Sequence, residues 1–175
     1  MLAAAVLACA CAPAALAVGP CAGAGLRPAG ADAAAAAHST LCLVNEIRAA
    51  HGLRPLRANA QLAGVARSQV RTMVQWDYFG DVRPTGQTPM SLIATSPYRT
   101  PGAELSVGQN IAWGSGVLSS PLHIVGEWMA SPAHRAIILT AEFRDAGVAV
   151  KAALPGILRA GAHGATYAME FAVRR

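Results

Sequence analysis

The run Glu127-Trp128-Met129-Ala130-Ser131-Pro132-Ala133-His134-Arg135 forces an abrupt turn between two helices. Ser131 carries a hydroxyl suited to capping a new helix. Pro132 suits the first helical position, where its missing N–H would have no partner anyway. His134 then falls at the third helical position, where free backbone N–H groups and the positive end of the helix dipole converge. An imidazole placed there is easily exposed in a groove.

The chain reads mainly as helices in its first part and as strands toward its end. Ser39 and Thr40 are candidates to cap a helix running to about His51, with Leu41, Val44 and Ile47 on one face and Gly52 as its stop. Asn59 can cap a second helix ending near Trp76, with Leu62, Ala66, Val70 and Met73 as its stripe. Residues 77–102 are punctuated by glycines and prolines and read mostly as loop, with one or two helical turns at 90–94. Residues 107–113 read as a strand and Gly114-Ser115-Gly116 as a turn; Ser120-Pro121 opens the helix that ends at Met129. A short helix from Pro132 to Leu139 follows, then strands at 143–151 and 166–173 joined by a turn around Gly161 and Gly164. Helices first and strands last predict an α+β fold, with helices packed on an antiparallel sheet of about three strands.

A chain of 175 residues has room for one domain with a real core. Much of its 54% hydrophobic content is alanine. The net charge of +5 is carried by scattered arginines, with Lys151 the single lysine. Basic residues neither cluster nor interleave with aromatics, which argues against dedicated nucleic-acid binding. Weak attraction to anionic surfaces such as cell-wall polymers or lipid head groups fits better.

Residues 1–19 are uncharged and apolar, and Ala15-Leu16-Ala17 supplies a small-x-small cleavage pattern. Residues 1–17 are therefore expected to be a secretory signal peptide, although a positively charged start is missing. Residues 18–38 read as an N-terminal arm and residues 39–175 as the folded domain. No stable membrane span is expected after cleavage. Cys9 and Cys11 leave with the leader. Cys21 and Cys42 remain as an even pair in an exported chain and are expected to form a disulfide. The expected product is a monomer, secreted or associated with the cell envelope.

Several segments resemble, in order and spacing, the secreted CAP (SCP-like) superfamily and specifically its bacterial extracellular branch. Asn45 and Arg48 followed by Gly52-Leu53-Arg54-Pro55-Leu56 look like its opening helix and turn. Val107-Gly108-Gln109-Asn110-Ile111-Ala112 is similar to its Gly-Glu-Asn-Ile-Ala segment, and residues 128–139 to its Trp-Met-x-Ser-Pro-Gly-His-Arg-x-x-Ile-Leu box. Gly147-Val148-Ala149-Val150 looks like the strand that follows, and Glu170-Phe171 sits where the last strand ends. The resemblance implies an α-β-α sandwich with a shallow central cleft that commonly holds histidines and acids, sometimes with zinc. Carried over by position, the family's first histidine is Asp81 here, the Gly-Glu-Asn glutamate is Gln109, and the second histidine is His134. An acid that many eukaryotic relatives carry falls at Ser131.

Two of the three bacterial cleft positions are thus altered. Asp81 and His134 fall short of the three or four ligands a stable zinc site needs, so no metal site is expected and zinc would bind weakly at best. Gln109 cannot trade protons. The plain expectation is a hydrogen-bonded Asp81–His134 pair in a polar groove. Glu127 is a candidate partner for Arg135, and Trp113 and Trp128 are expected to pack in the core. Three functional readings follow: a non-catalytic module binding a cell-surface ligand or partner, a hydrolase using His134 and Asp81 on a cell-wall or peptide substrate, and a lipid or sterol carrier.

Overall fold

The computed structural model describes residues 21–158 and 163–175. The segment expected to be a leader, with Cys9 and Cys11, and Gly161 of the expected last turn lie outside the described residues. The first helix, α1 (Ala33–Ala50), starts ahead of the Ser39-Thr40 pair and takes in the end of the segment read as an arm. Residues 33–37 are all alanine, the strongest helix former, and need no side-chain cap. The Ser39 and Thr40 hydroxyls instead donate back to the carbonyls of Ala35 and Ala36, at 2.9 and 2.8 Å.

A two-residue strand, β1 (Arg57–Ala58), leads into α2 (Ala60–Gln75). Asn59 caps α2 as expected, its Oδ1 accepting from the N–H groups of Gln61 and Leu62 at 3.0 and 3.1 Å. Then come α3 (Pro89–Ala94), β2 (Leu105–Ser115), α4 (Pro121–Ala130), α5 (Pro132–Ile138), β3 (Asp145–Lys151) and β4 (Gly164–Arg174). The sheet order is β1-β3-β4-β2, with β4 antiparallel to both β3 and β2. β1 runs parallel to β3, so the sheet has four strands and is mixed. Two residues are too few to show alternation. Their pairing rests on the Arg57 and Asn59 amides, which donate to the carbonyls of Arg144 and Ala146, both at 2.8 Å.

One face of the sheet buries Trp128, Phe143, Tyr167 and Phe171 together with Val44 of α1 and Ile124 of α4. The other buries Ala66, Val70 and Met73 of α2 against Ile111, Ala149 and Ala168. This is the expected three-layer sandwich. Gly147 lets α2 lie directly on the sheet: a Cβ there would fall 2.0 Å from the Ala63 amide nitrogen. Trp128 is buried and its Nε1 donates to the Ile111 carbonyl at 3.1 Å, but Trp113 is 39% exposed. The expectation of core packing fails for Trp113 because β2 is an edge strand.

Arg48 is fully buried and donates to the carbonyls of Arg54, Ile138 and Thr140, tying α1 to the end of α5. Cys21 and Cys42 form the expected disulfide, with Cα atoms 5.5 Å apart. No described helix is long and apolar enough to cross a membrane.

Candidate functional site

The residues carried over as cleft positions are centred on 108–111 of β2, whose side chains alternate between the two layers. Gly108 leaves room for α5 and the segment after it: a Cβ would meet Ile137 at 2.8 Å and the Phe143 ring at 3.1 Å. Asn110 Nδ2 donates to the His134 carbonyl at 3.2 Å and fixes the first turn of α5. Gln109 points to the opposite layer, toward the loop that carries Asp81.

Ser131 serves two helices at once. Its N–H donates to the Glu127 carbonyl at 3.1 Å, closing α4, and its carbonyl accepts from the Arg135 N–H at 2.9 Å, opening α5. Its hydroxyl makes no capping bond, contrary to expectation. The backbone alone satisfies this junction. His134 is half-buried at the start of α5. Glu127 approaches His123 at 3.8 Å, one helical turn away, instead of Arg135.

Asp81 is placed by a buried glutamine. Gln69, fully buried on α2, donates from Nε2 to the carbonyls of Gly80 and Asp81 at 3.0 and 3.4 Å. Arg83 donates from Nε to Gln69 Oε1 at 3.0 Å and from Nη2 to Ser68 Oγ at 2.9 Å. Burial pushes the Asp81 carboxyl up, and the nearby His134 charge pulls it back down. The two groups are therefore near enough to interact through charge. Among the described hydrogen bonds, none joins the Asp81 carboxylate to the His134 ring, and none joins either to the Ser131 hydroxyl. Among the described residues the expected hydrogen-bonded Asp81–His134 pair is not formed, and no ion pair joins the two side chains.

A fourth group lies beneath them. Glu170 of β4 sits directly opposite Gln109 in the strand register, and Gln109 Nε2 donates to Glu170 Oε1 at 2.7 Å. Glu170 is completely buried, and Gln109 is 7% exposed. Desolvation pushes the Glu170 carboxyl up to about 8; the Gln109 hydrogen bond opposes this, the Asp81 charge adds to it and Arg83 opposes it. Gln109 Oε1 and Glu170 Oε2 are both buried without a partner. In its acid form Glu170 gains the hydroxyl donor that this pair of oxygens lacks. An acid thus lies directly behind position 109, on the facing strand. The sequence signal for it was a lone charge in the apolar run around Tyr167, Met169 and Phe171; the signal for Gln69 was an amide within the apolar stripe of α2.

A zinc centre does not fit these donors. Among the described residues, the only three His, Cys, Asp or Glu donors lying within 4.8 Å of one another are Cys21, Cys42 and Glu46. Both sulfurs of that group are committed to the disulfide.

Fold and cleft together define a domain of the SCP kind. Residues 41–153 match the model of the cysteine-rich secretory protein family, and the chain belongs to that CAP family. It is 31% identical over 108 residues to the uncharacterized protein YkwD of Bacillus subtilis, covering 61% of this chain and 38% of the relative. The chain therefore spans well under half the length of that curated relative. An extracellular protein containing a SCP domain from Bacillus anthracis is similar in structure, with a TM-score of 0.62 at 23% identity over 82% of this chain and 44% of that one. An outer surface protein from Borrelia burgdorferi has a TM-score of 0.61 at 16% identity over 77% of this chain and 90% of that one. A cysteine-rich secretory protein of Staphylococcus aureus has a TM-score of 0.57 at 18% identity, over 80% and 38%. The Cys21–Cys42 disulfide agrees with an oxidising, extracellular location.

Proposed function

We propose that this chain is an exported, monomeric binding module that takes a cell-surface ligand or partner over the cleft between Asp81 and His134 without turning it over. The supporting observation is the Gln109–Glu170 pair. Glu170 is sealed under an amide and bonded to it, while Asp81 and His134 are joined by no described hydrogen bond and Ser131 offers no activated hydroxyl. A nucleophile needs a base within hydrogen-bond reach, and Ser131 lacks one among the described contacts. Neither metal nor cofactor is required by this reading.

The test is a titration of the folded protein with soluble cell-wall muropeptides, read by amide chemical shifts and product analysis. Shifts at Asp81, Gln109 and His134 with intact muropeptides are expected. Cleavage that disappears in His134→Ala, or labelling of Ser131 by a fluorophosphonate probe, supports the hydrolase reading instead.

Lipid carriage is the second reading. It is favoured by an open hollow of about 390 Å³ between α1 and α4, lined by Leu43, Ile47, Ala50, Leu122, Val125 and Met129 among others. Native mass spectrometry of the extracted protein tests it; a co-purifying lipid is the expected sign.

A further inference from the structure

The sheet edge opposite the cleft is open. β1 covers β3 only at Asp145 and Ala146. At Asn59 the chain turns away into α2, its amide still bonded to the Ala146 carbonyl at 2.8 Å. Backbone groups of successive strand residues point alternately to the two sides of the strand. Ala146 points toward β1, so Val148 and Val150 turn their N–H and C=O the same way, past the end of β1. Among the described residues no strand pairs with them on that side.

Two adjoining hollows follow this edge. The first, about 360 Å³, lies between Ala34, Ala37 and Leu41 of α1 and Ala63 and Arg67 of α2, with Val148 at its floor. The second, about 410 Å³, continues from Arg67 past Arg71 to Val150 and Lys151. Its rim is cationic. Arg67 and Arg71 stand one turn apart on the same face of α2, a spacing at which like charges repel. Among the described residues none of Arg67, Arg71 and Lys151 takes part in an ion pair. Free peptide groups, short apolar walls and three uncompensated cations together describe a receptor for an extended chain that carries carboxylates.

We propose that the open edge of β3 docks an extended acidic segment of a partner protein, added to the sheet as a further strand beside residues 148–151. The backbone groups of Val148 and Val150 supply the ladder, the alanine walls admit small apolar side chains, and Arg67, Arg71 and Lys151 select acidic ones. This surface is separate from the cleft, which lies at the β2 edge.

The experiment titrates isotope-labelled protein with a capped synthetic peptide of alternating Glu and Val, and reads amide shifts and hydrogen exchange. The expected result is saturable binding that slows exchange at the Val148 and Val150 amides and weakens with salt. Arg67→Glu with Arg71→Glu is expected to weaken it by about tenfold or more. Lys151→Glu gives a second reading if the double variant does not fold. An alternating Lys and Val peptide is expected not to bind. The proposal is overturned if both peptides bind alike, if charge reversal changes nothing, or if the shifts fall at Gln109 and His134. It is also overturned if Val148 and Val150 are already protected in the free protein, by the chain's own residues or a second copy.

Discussion

Glu170 occupies a strand position where its neighbours on either side are apolar, and it survives there only because Gln109 faces it. Its carboxyl titrates near 4.5 when solvated and near 8 in the fold. Between these values the folded chain holds a proton that the unfolded chain has released. Stability from this group is therefore fully present below 4.5 and is lost as pH rises toward 8. Urea denaturation of the wild type is expected to show a midpoint that falls across this window. Glu170→Gln should flatten that descent, leaving a smaller slope of the same sign from Asp81, whose carboxyl is also raised. Glu170→Ala, which strands the Gln109 amide, should lower stability by about 1–3 kcal/mol in acid below the window, where the protonated Glu170 carries no charging penalty. At this scale His134 was singled out by the Ser131-Pro132 break and Asp81 by the family resemblance. Glu170 was not, because its partner stands 61 residues away and only the strand register joins them.

Elements were legible where a local signal sets the boundary. Asn59 and Ser120 cap helices where their side chains can reach the first free amides. The start of α1 was displaced because alanines supply propensity without a visible cap, and β1 was missed because a neighbour's carbonyls create it. Two glycines separate these cases. Gly126 is exposed on α4, and a methyl added to its Cα would meet nothing within 4 Å, so Gly126→Ala is expected to raise stability by about 0.4–1 kcal/mol. Gly147→Ala would drive a methyl into the backbone of α2 and is expected to lower stability by about 3 kcal/mol or more, or to prevent folding. Thermal unfolding of both variants checks the contrast.

At the scale of the whole molecule, the Cys21–Cys42 bond ties the segment ahead of α1 to that helix across 21 residues of sequence. Closing such a loop contributes about 3 kcal/mol in the chain-entropy description. Reduction, or Cys21→Ser with Cys42→Ser, is expected to lower the denaturation midpoint by a comparable free energy while leaving the sheet intact; circular dichroism in oxidising and reducing buffer measures it. The class of fold, the order of its elements, the disulfide and the helix break before His134 were all set by residues near one another or by composition. Periodicity, capping and cysteine parity act over short range or by simple count. The parallel pairing of β1, the open β3 edge and the acid–amide pair under the cleft were decided by the folded chain alone. Each depends on which strands become neighbours and in what register, and that is a property of packed layers, not of any single stretch of sequence.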